Sequence, residues 1–519
     1  MKARASSTVP CRACERLNRR DFLASCAACL AGAGSFASLA AEPATNAPPA
    51  KRPRVRLVFS HIPPESPTWP NIGFDYETRK KELAAALVRA IPNVEFVPAT
   101  VHDADQAHAL LAKPDRYDGC LVCTVGIWTG APQVFGGTGT PTIFADDLYG
   151  GSGEFLVAYA AARRAGQKVA GVSSSRIETL IDAARAFELL ATPGTTADAV
   201  VAAAQAAVRK HTKAPGSLRC ADDRVQAIAA DECLKKLRTA RILVVGGGGG
   251  EDIKDMFGTT IVPLGFEDMQ AAYAKADRKE AARWAAQWTT GAVKTVEPTA
   301  KDIEDSAAMY LAQLDLLARH KAQAITVNCL GGFYGGHLTA YPCLGFCQLN
   351  DDGLVGACEA DVRSTFTMLA IGFLTGRPGY ISDPVIDVSK NQIIYAHCVA
   401  PTKVFGPRGP ANPFHLRSHS EDRKGASIRS LMPPGYMTTS LEIAAASKQM
   451  LVHQAVTVEN IDNDKACRTK LAAEVKGDID KLQTMWDQWG WHRVTFYGDL
   501  KAPLASFCKA AGLTMVEEA

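Results

Sequence analysis

Charge of one sign is scarce in this sequence. Of 519 residues, 57 are Lys or Arg and 54 are Asp or Glu, which leaves a formal net charge of +3, and aromatic residues make up only 7%. Nucleic-acid binding draws on a concentrated basic footprint, so no nucleic-acid partner is expected. Internal repeats of solenoid period are lacking as well, which excludes a repeat array. A hydrophobic fraction of 47% with 21% charged residues is the composition of a folded globular chain, long enough for two to four domains. Disorder, collagen and small disulfide scaffolds are thereby ruled out. The 15 cysteines are an odd number spread over a long chain, which argues against a complete disulfide framework and for buried thiols.

Several cysteine and glycine motifs look functional and fail on inspection. Cys11-x-x-Cys14 and Cys26-x-x-Cys29 have zinc-like spacing, but the second pair lies inside an apolar stretch that a metal knuckle would interrupt. Cys120-x-x-Cys123 falls in a strand-like run, where residues three apart point to opposite faces. Five glycines, Gly246 to Gly250, follow the strand-like Arg241 to Val245. A dinucleotide fingerprint needs a further glycine where Glu251 stands, so a loop after a strand is the better reading.

The first forty residues read as an export signal. Arg12, Arg16, Arg19 and Arg20 precede an apolar, small-residue stretch from Phe22 to Ala40, and Asn18-Arg19-Arg20-Asp21-Phe22-Leu23 resembles the twin-arginine motif, with Asn18 and Ala24 as departures. Cleavage after Ala40 and a linker from 41 to 52 are expected, with the twin-arginine machinery as a partner and the periplasm or exterior as destination.

Beyond the linker, short apolar runs alternate with amphipathic stretches. Strands are predicted at Arg54 to Ser60, Asn93 to Pro98, Gly119 to Val125, Pro141 to Asp146 and Lys168 to Val172, with helices between them, including Tyr76 to Ile91 and Asp103 to Leu111. This βα alternation implies a parallel sheet covered on both faces. A second α/β unit starts at Arg241, with helices at Phe266 to Ala274, Arg278 to Trp288 and Lys301 to His320 and a buried strand at Ala324 to Asn328. After Asp351 the pattern turns to short strand-like pieces, with strands at Gln392 to His397 and Arg493 to Tyr497 and a helix at Leu441 to Met450. The expected class is α/β: two doubly wound α/β domains, 53–235 and 236–350, followed by a mostly β C-terminal domain, 351–519.

The chemistry concentrates between Pro342 and Pro401. Glu359 and Asp383 flank an apolar helical run, Phe366 to Leu374, and a fold that buries the run can bring both acids to one cleft. Two carboxylates and an imidazole suit Mn²⁺, Mg²⁺ or Co²⁺ better than structural zinc, although such acids also cap helices or form surface pairs. Ala-Cys-Glu359-Ala-Asp361, the following Thr-Met-Leu to Leu-Thr-Gly-Arg-Pro378, Ser-Asp383-Pro and the tail Trp489-Gly-Trp-His492-Arg-Val resemble the metal-site segments of the L-fucose isomerase and L-arabinose isomerase superfamily, nearer the fucose isomerase type. The resemblance covers about residues 240 to 519. It implies aldose–ketose isomerisation of a small sugar through an enediolate. It also implies one divalent ion, Mn²⁺ or a similar cation, held by Glu359, Asp383 and His492, with the two carboxylates as catalytic groups. His397, His419 and Trp491 are candidates for the sugar pocket, His337 is a weaker one, and Trp486 and Trp489 fit core packing equally well. A homo-oligomer is expected. From another class, an α/β receptor behind an export signal would bind sugar without converting it.

Overall fold

The computed structural model describes residues 52–247 and 256–519. The export signal, the linker, Cys11, Cys14, Cys26, Cys29 and Gly248 to Gly250 lie outside the described residues.

The first five strands are β1 (Arg54–Ser60), β2 (Glu95–Val101), β3 (Gly119–Thr124), β4 (Thr142–Asp146) and β5 (Val169–Ser173), and they pair in parallel in the order β2-β1-β3-β4-β5. In β1, β3, β4 and β5 nearly every residue is buried, as expected where crossover helices cover both faces, whereas the edge strand β2 alternates between buried and exposed. Three helices of this unit start where a side chain supplies the missing acceptor: Asp75 takes the Thr78 N–H ahead of Tyr76–Ala90, Asp103 takes the Gln106 N–H ahead of Ala104–Leu111, and Thr196 takes the Ala199 N–H ahead of Ala197–His211. Cys120 and Cys123 are buried free thiols in β3.

The second sheet is also parallel, built from β6 (Arg241–Val245), β7 (Thr260–Leu264), β9 (Ala324–Val327) and β10 (Val355–Cys358) in the order β10-β9-β6-β7. Its last strand, β10, lies beyond the boundary at 351 that the change of texture suggested, because Val355–Cys358 pairs with β9 rather than with the barrel that follows. A short β8 (Lys294–Thr295) joins β13 (Phe414–Arg417) and β14 (Ser427–Ser430) in a small three-stranded sheet.

The remaining strands are β11 (Gly379–Asp387), β12 (Gln392–His397), β15 (Met437–Ala444), β16 (Gln449–Asn460), β17 (Thr469–Lys476), β18 (Arg493–Tyr497) and β19 (Thr514–Glu517). They run β15-β18-β11-β12-β17-β16, and pairing of β16 back to β15 closes a barrel, with β19 added parallel to β16. The helix expected at Leu441 to Met450 is instead a hairpin: β15 and β16 joined by a turn at Ala445–Ser447, with Lys448 at φ +53°. Alanine content there reads as helical, but cross-strand pairs Leu441 with Val452 and Ile443 with Met450 are buried in the barrel wall, and that packing decides the local structure. The barrel is the hub of the molecule. Its side chains share one core with the first α/β unit, through Tyr380, Tyr395 and Trp486, and another with the second, through Leu441, Val494 and Phe496.

Candidate active site

Chain topology delivers the acids and imidazoles to one point. In the barrel, β11 lies between β18 and β12, so Asp383 on β11 is flanked by His492, the residue before β18, and by His397, the last residue of β12. Glu359 arrives from the second sheet, immediately after the C-terminal end of β10, where open parallel sheets present their ligands. It is held there by an unusual turn. Glu359 and Ala360 both adopt left-handed backbone, φ +65° and +49°, before Asp361 caps the helix Val362–Thr375 by accepting from the Ser364 N–H at 3.0 Å. The close approach of this turn to β6 requires a glycine at 247, since a Cβ there would sit 2.6 Å from the Ala360 Cβ. The first two members of the glycine run thus end β6 beside the site, as a loop after a strand.

The donor atoms converge. Ligand atoms of Glu359, His397 and His492 all lie within 4.8 Å of one another. The His492 Nε2 is 3.4 Å from Glu359 Oε2 and 3.3 Å from Asp383 Oδ1, and the His397 Nε2 is 3.7 Å from Glu359 Oε1 and 3.9 Å from Asp383 Oδ2. The structure therefore brings together Glu359, Asp383 and His492, and it adds His397 to the same cluster. The two imidazoles are not equivalent. His492 Nδ1 donates to Asp361 Oδ2 at 2.9 Å, which leaves its buried Nε2 without a hydrogen-bond partner and aimed at the two carboxylates. A carboxylate behind a histidine is the arrangement that orients an imidazole toward a metal. His397 Nδ1 accepts the Cys398 N–H at 3.0 Å, so its proton resides on Nε2, which then faces the carboxylates as a donor.

Electrostatics follow from burial among like charges. Burial, reinforced by Asp383, pushes the Glu359 carboxyl up to about 8 against the pull of His492. Burial acts on Asp383 in the same direction but is outweighed by the nearby His492 and His397 imidazoles and the Trp491 N–H, and its pKa stays below the usual carboxylate value. For Asp361, burial is overcome by the His492 hydrogen bond and charge and by donors from Ser364, which bring it to about 2. Burial works against the His492 cation, yet Glu359, Asp361 and Asp383 raise it well above an ordinary histidine. A protonated His492 thus stands where three acids ask for a cation. Hard carboxylate oxygens and an oriented imidazole whose buried Nε2 has no partner are a donor set that fits a divalent ion.

This cluster opens into a narrow cleft, whose lining includes Trp69, Trp128, Trp491, His419 and Glu421. Trp491 stacks on Trp128 with ring centroids 4.8 Å apart, and its Nε1 donates to Asp383 Oδ1 at 2.8 Å. It reaches that place only because residue 153 is glycine, whose Cβ would fall 2.0 Å from the indole. Trp128, from the loop after β3, is held by the buried Glu154, which accepts from the Thr129 and Gly130 N–H groups at 3.0 and 2.6 Å. His419 is in the lining, with its Nδ1 3.0 Å from Asp422 Oδ1; burial opposes its charge, but that hydrogen bond and nearby Cys398 and Glu421 raise it to about 9. Trp486 and Trp489 are buried packing residues outside the cleft lining, and His337 is exposed, stacked on Phe266. Sequence reasoning did not single out Asp361, Trp128 or Glu421 as functional residues. The spacing Glu359-x-Asp361 before a helix was the available signal for Asp361, whereas Trp128 and Glu421 are joined to the site only by tertiary contacts.

Fold and cluster define a class: an α/β protein whose carboxylate and imidazole groups gather where a parallel strand end meets an antiparallel barrel. Within the reach of sequence comparison, the chain is similar to proteins named sulfoquinovose isomerase. That of Clostridium sp. (strain MSTE9) is 23% identical over 293 residues, covering 53% of this chain and 64% of that protein. Those of Alkalicoccus urumqiensis and Priestia aryabhattai are 24% and 28% identical over 182 and 185 residues, each covering 40% of the relative. The chain thus spans less than two thirds of the length of each of these relatives. No protein-family model matches it.

Proposed function

We propose that this protein is an exported, metal-dependent sugar isomerase that interconverts an aldose and a ketose. The observation that carries the reading is the buried His492 Nε2, oriented by Asp361 and aimed at Glu359 and Asp383. The names of the relatives point to the same class. Glu359, Asp383 and His492 would hold the ion. When bound, a divalent cation of the Mn²⁺, Mg²⁺ or Co²⁺ type supplies Lewis-acid stabilisation of negative charge on the sugar oxygens.

Moving a carbonyl between C1 and C2 requires a proton to leave one carbon and a proton to arrive at its neighbour, with an enediolate between. The two carboxyls divide that work. Both face the cleft, and two positioned carboxylates can exchange the roles of proton donor and proton acceptor between C1 and C2. The His397 Nε2–H faces the space between them and donates to a sugar oxygen as negative charge develops there. Trp128 and Trp491 form an apolar wall that keeps bulk water from the enediolate.

The test is reconstitution with Mn²⁺ and measurement of ketose formed from a panel of pentoses, hexoses and 6-deoxyhexoses. Expected are about one bound ion per chain, EDTA-sensitive turnover and a melting temperature that falls on chelation. A protein indifferent to Mn²⁺ and EDTA that binds sugar without converting it would establish the receptor reading instead. Export is tested separately: Arg19→Lys with Arg20→Lys should block delivery of the protein to the envelope, and unchanged delivery would remove the twin-arginine route. Folding around its ion before translocation would spare a Mn²⁺ site competition from Cu²⁺ and Zn²⁺. A homo-oligomer is the expected state in sedimentation.

A further inference from the structure

The cleft contains a third carboxylate to which the metal and proton-transfer groups assign no task. Glu421 lies in the turn between β13 and β14, is only 8% exposed and lines the same cleft as Glu359 and Asp383. Two elements fix it in place. The Tyr334 hydroxyl, at the end of the helix Cys329–Tyr334, donates to Glu421 Oε2 at 2.7 Å, and the Ile72 N–H, from the segment that carries Trp69, donates to the Glu421 carbonyl at 2.7 Å. Glu421 Oε1 receives no hydrogen bond from the described residues. The nearest imidazole is committed elsewhere, since His419 Nδ1 is paired with Asp422 Oδ1 at 3.0 Å and its ring is wedged against Phe333, centroids 5.7 Å apart.

A carboxylate with one oxygen supplied and the other open to the cleft can accept a further hydrogen bond, and a ligand can supply the donor. Sugars provide such donors as hydroxyl groups. Resting on the isomerase reading above, we propose that Glu421, oriented by Tyr334, is a specificity-determining residue: its Oε1 accepts a hydrogen bond from a substrate hydroxyl, so the carbon that meets it bears a hydroxyl and not a sulfonate or phosphate. An anionic substituent at that carbon would offer Oε1 only acceptor oxygens and leave it unpaired. Sites built to pair with a hydroxyl discriminate strongly against analogues that cannot supply it.

The experiment measures equilibrium binding by calorimetry, with and without Mn²⁺, alongside kcat and KM. The ligands are neutral five- and six-carbon aldoses, 6-deoxyhexoses, hexose 6-phosphates and sulfoquinovose. Wild type is expected to prefer its best neutral aldose over the anionic sugars by at least about 10²-fold in Kd. Glu421→Gln should weaken the neutral sugar by about 10-fold, raise KM more than it lowers kcat, and narrow the neutral-to-anionic ratio by about 10-fold, with metal content unchanged. Tyr334→Phe should move the same quantities in the same direction by less. Wild-type Kd, KM and ratio in Glu421→Gln would overturn the proposal, as would equal binding of sulfoquinovose and the best neutral aldose by wild type. Turnover of both sugar types with no Glu421 dependence would sink this inference and leave the isomerase reading standing. Glu421-dependent binding of neutral sugars without turnover would do the reverse.

Discussion

Trp491 Nε1 donates to Asp383 Oδ1 at 2.8 Å while the same indole stacks on Trp128, so one side chain both orients a cluster carboxylate and roofs the cleft above it. Trp491→Phe separates these roles, because the smaller ring retains an aromatic face and loses the N–H. Turnover is expected to fall by about 10-fold, the lower range for loss of a partner that orients a ligand. Steady-state kinetics with saturating Mn²⁺ would check this, and an unchanged kcat/KM would show that Asp383 is held by its other neighbours.

Asp361 is outside the cleft lining and bears on the cluster through its hydrogen bond with His492. Asp361→Asn replaces the acceptor on Nδ1 with an ambiguous amide and weakens the preference for a lone pair on Nε2. Metal affinity should drop by about 10–100-fold, with activity partly restored by excess Mn²⁺. His492→Gln should behave likewise and more severely. A metal titration that gives the wild-type Kd for Asp361→Asn would contradict the assigned orientation.

The two carboxylates should not be rescued in the same way. Glu359→Gln and Asp383→Asn keep volume and remove both a charge and a base, and each should lower turnover by at least about 10²-fold even with excess metal. Isomerisation at the wild-type rate in Glu359→Gln would show that the proton is carried elsewhere.

Away from the cleft, His61 predicts an acid-sensitive step in stability. It ends the β1 segment stacked on Tyr76 at 3.9 Å, with Nε2 buried and unpartnered, and burial lowers its pKa from 6.5 to about 4. The folded protein therefore binds fewer protons than the unfolded chain between pH 4 and 6.5, so this contribution is complete above 6.5 and is lost as pH falls toward 4. Relative to His61→Gln, wild type should lose on the order of 1–3 kcal/mol of unfolding free energy across that window. Denaturant melts of both proteins at several pH values would show a constant difference if His61 does not titrate in this way.

Much of this organisation was readable from residue order. The βα alternation located all five strands of the first sheet, and the helix predicted from Asp103 does begin behind that residue, because local signals and tertiary burial agree there. The hairpin at Leu441 to Met450 was not legible, since alanines between apolar residues satisfy a helical period and only barrel closure selects the strand. Glu359, Asp383 and His492 were found through motif resemblance, and their meeting depends on β18 and β12 flanking β11, which no local pattern states. His397 was expected near the sugar pocket, and its approach to Glu359 and Asp383 required the barrel register. Trp128 and Glu421 come from loops whose only tie to the cluster is spatial.

The paired left-handed residues Glu359 and Ala360 set the interests of the fold against those of the site. Side chains at positive φ are disfavoured relative to glycine by roughly 1 kcal/mol each, and Glu359 is also a half-buried acid beside another acid. Glycine at 359 would relieve both burdens and remove the carboxylate to which the proposed reaction assigns a ligand and a proton-transfer role. Heat-resistance screens applied to this protein should therefore enrich disarmed variants at 359 unless selection for turnover is imposed in parallel.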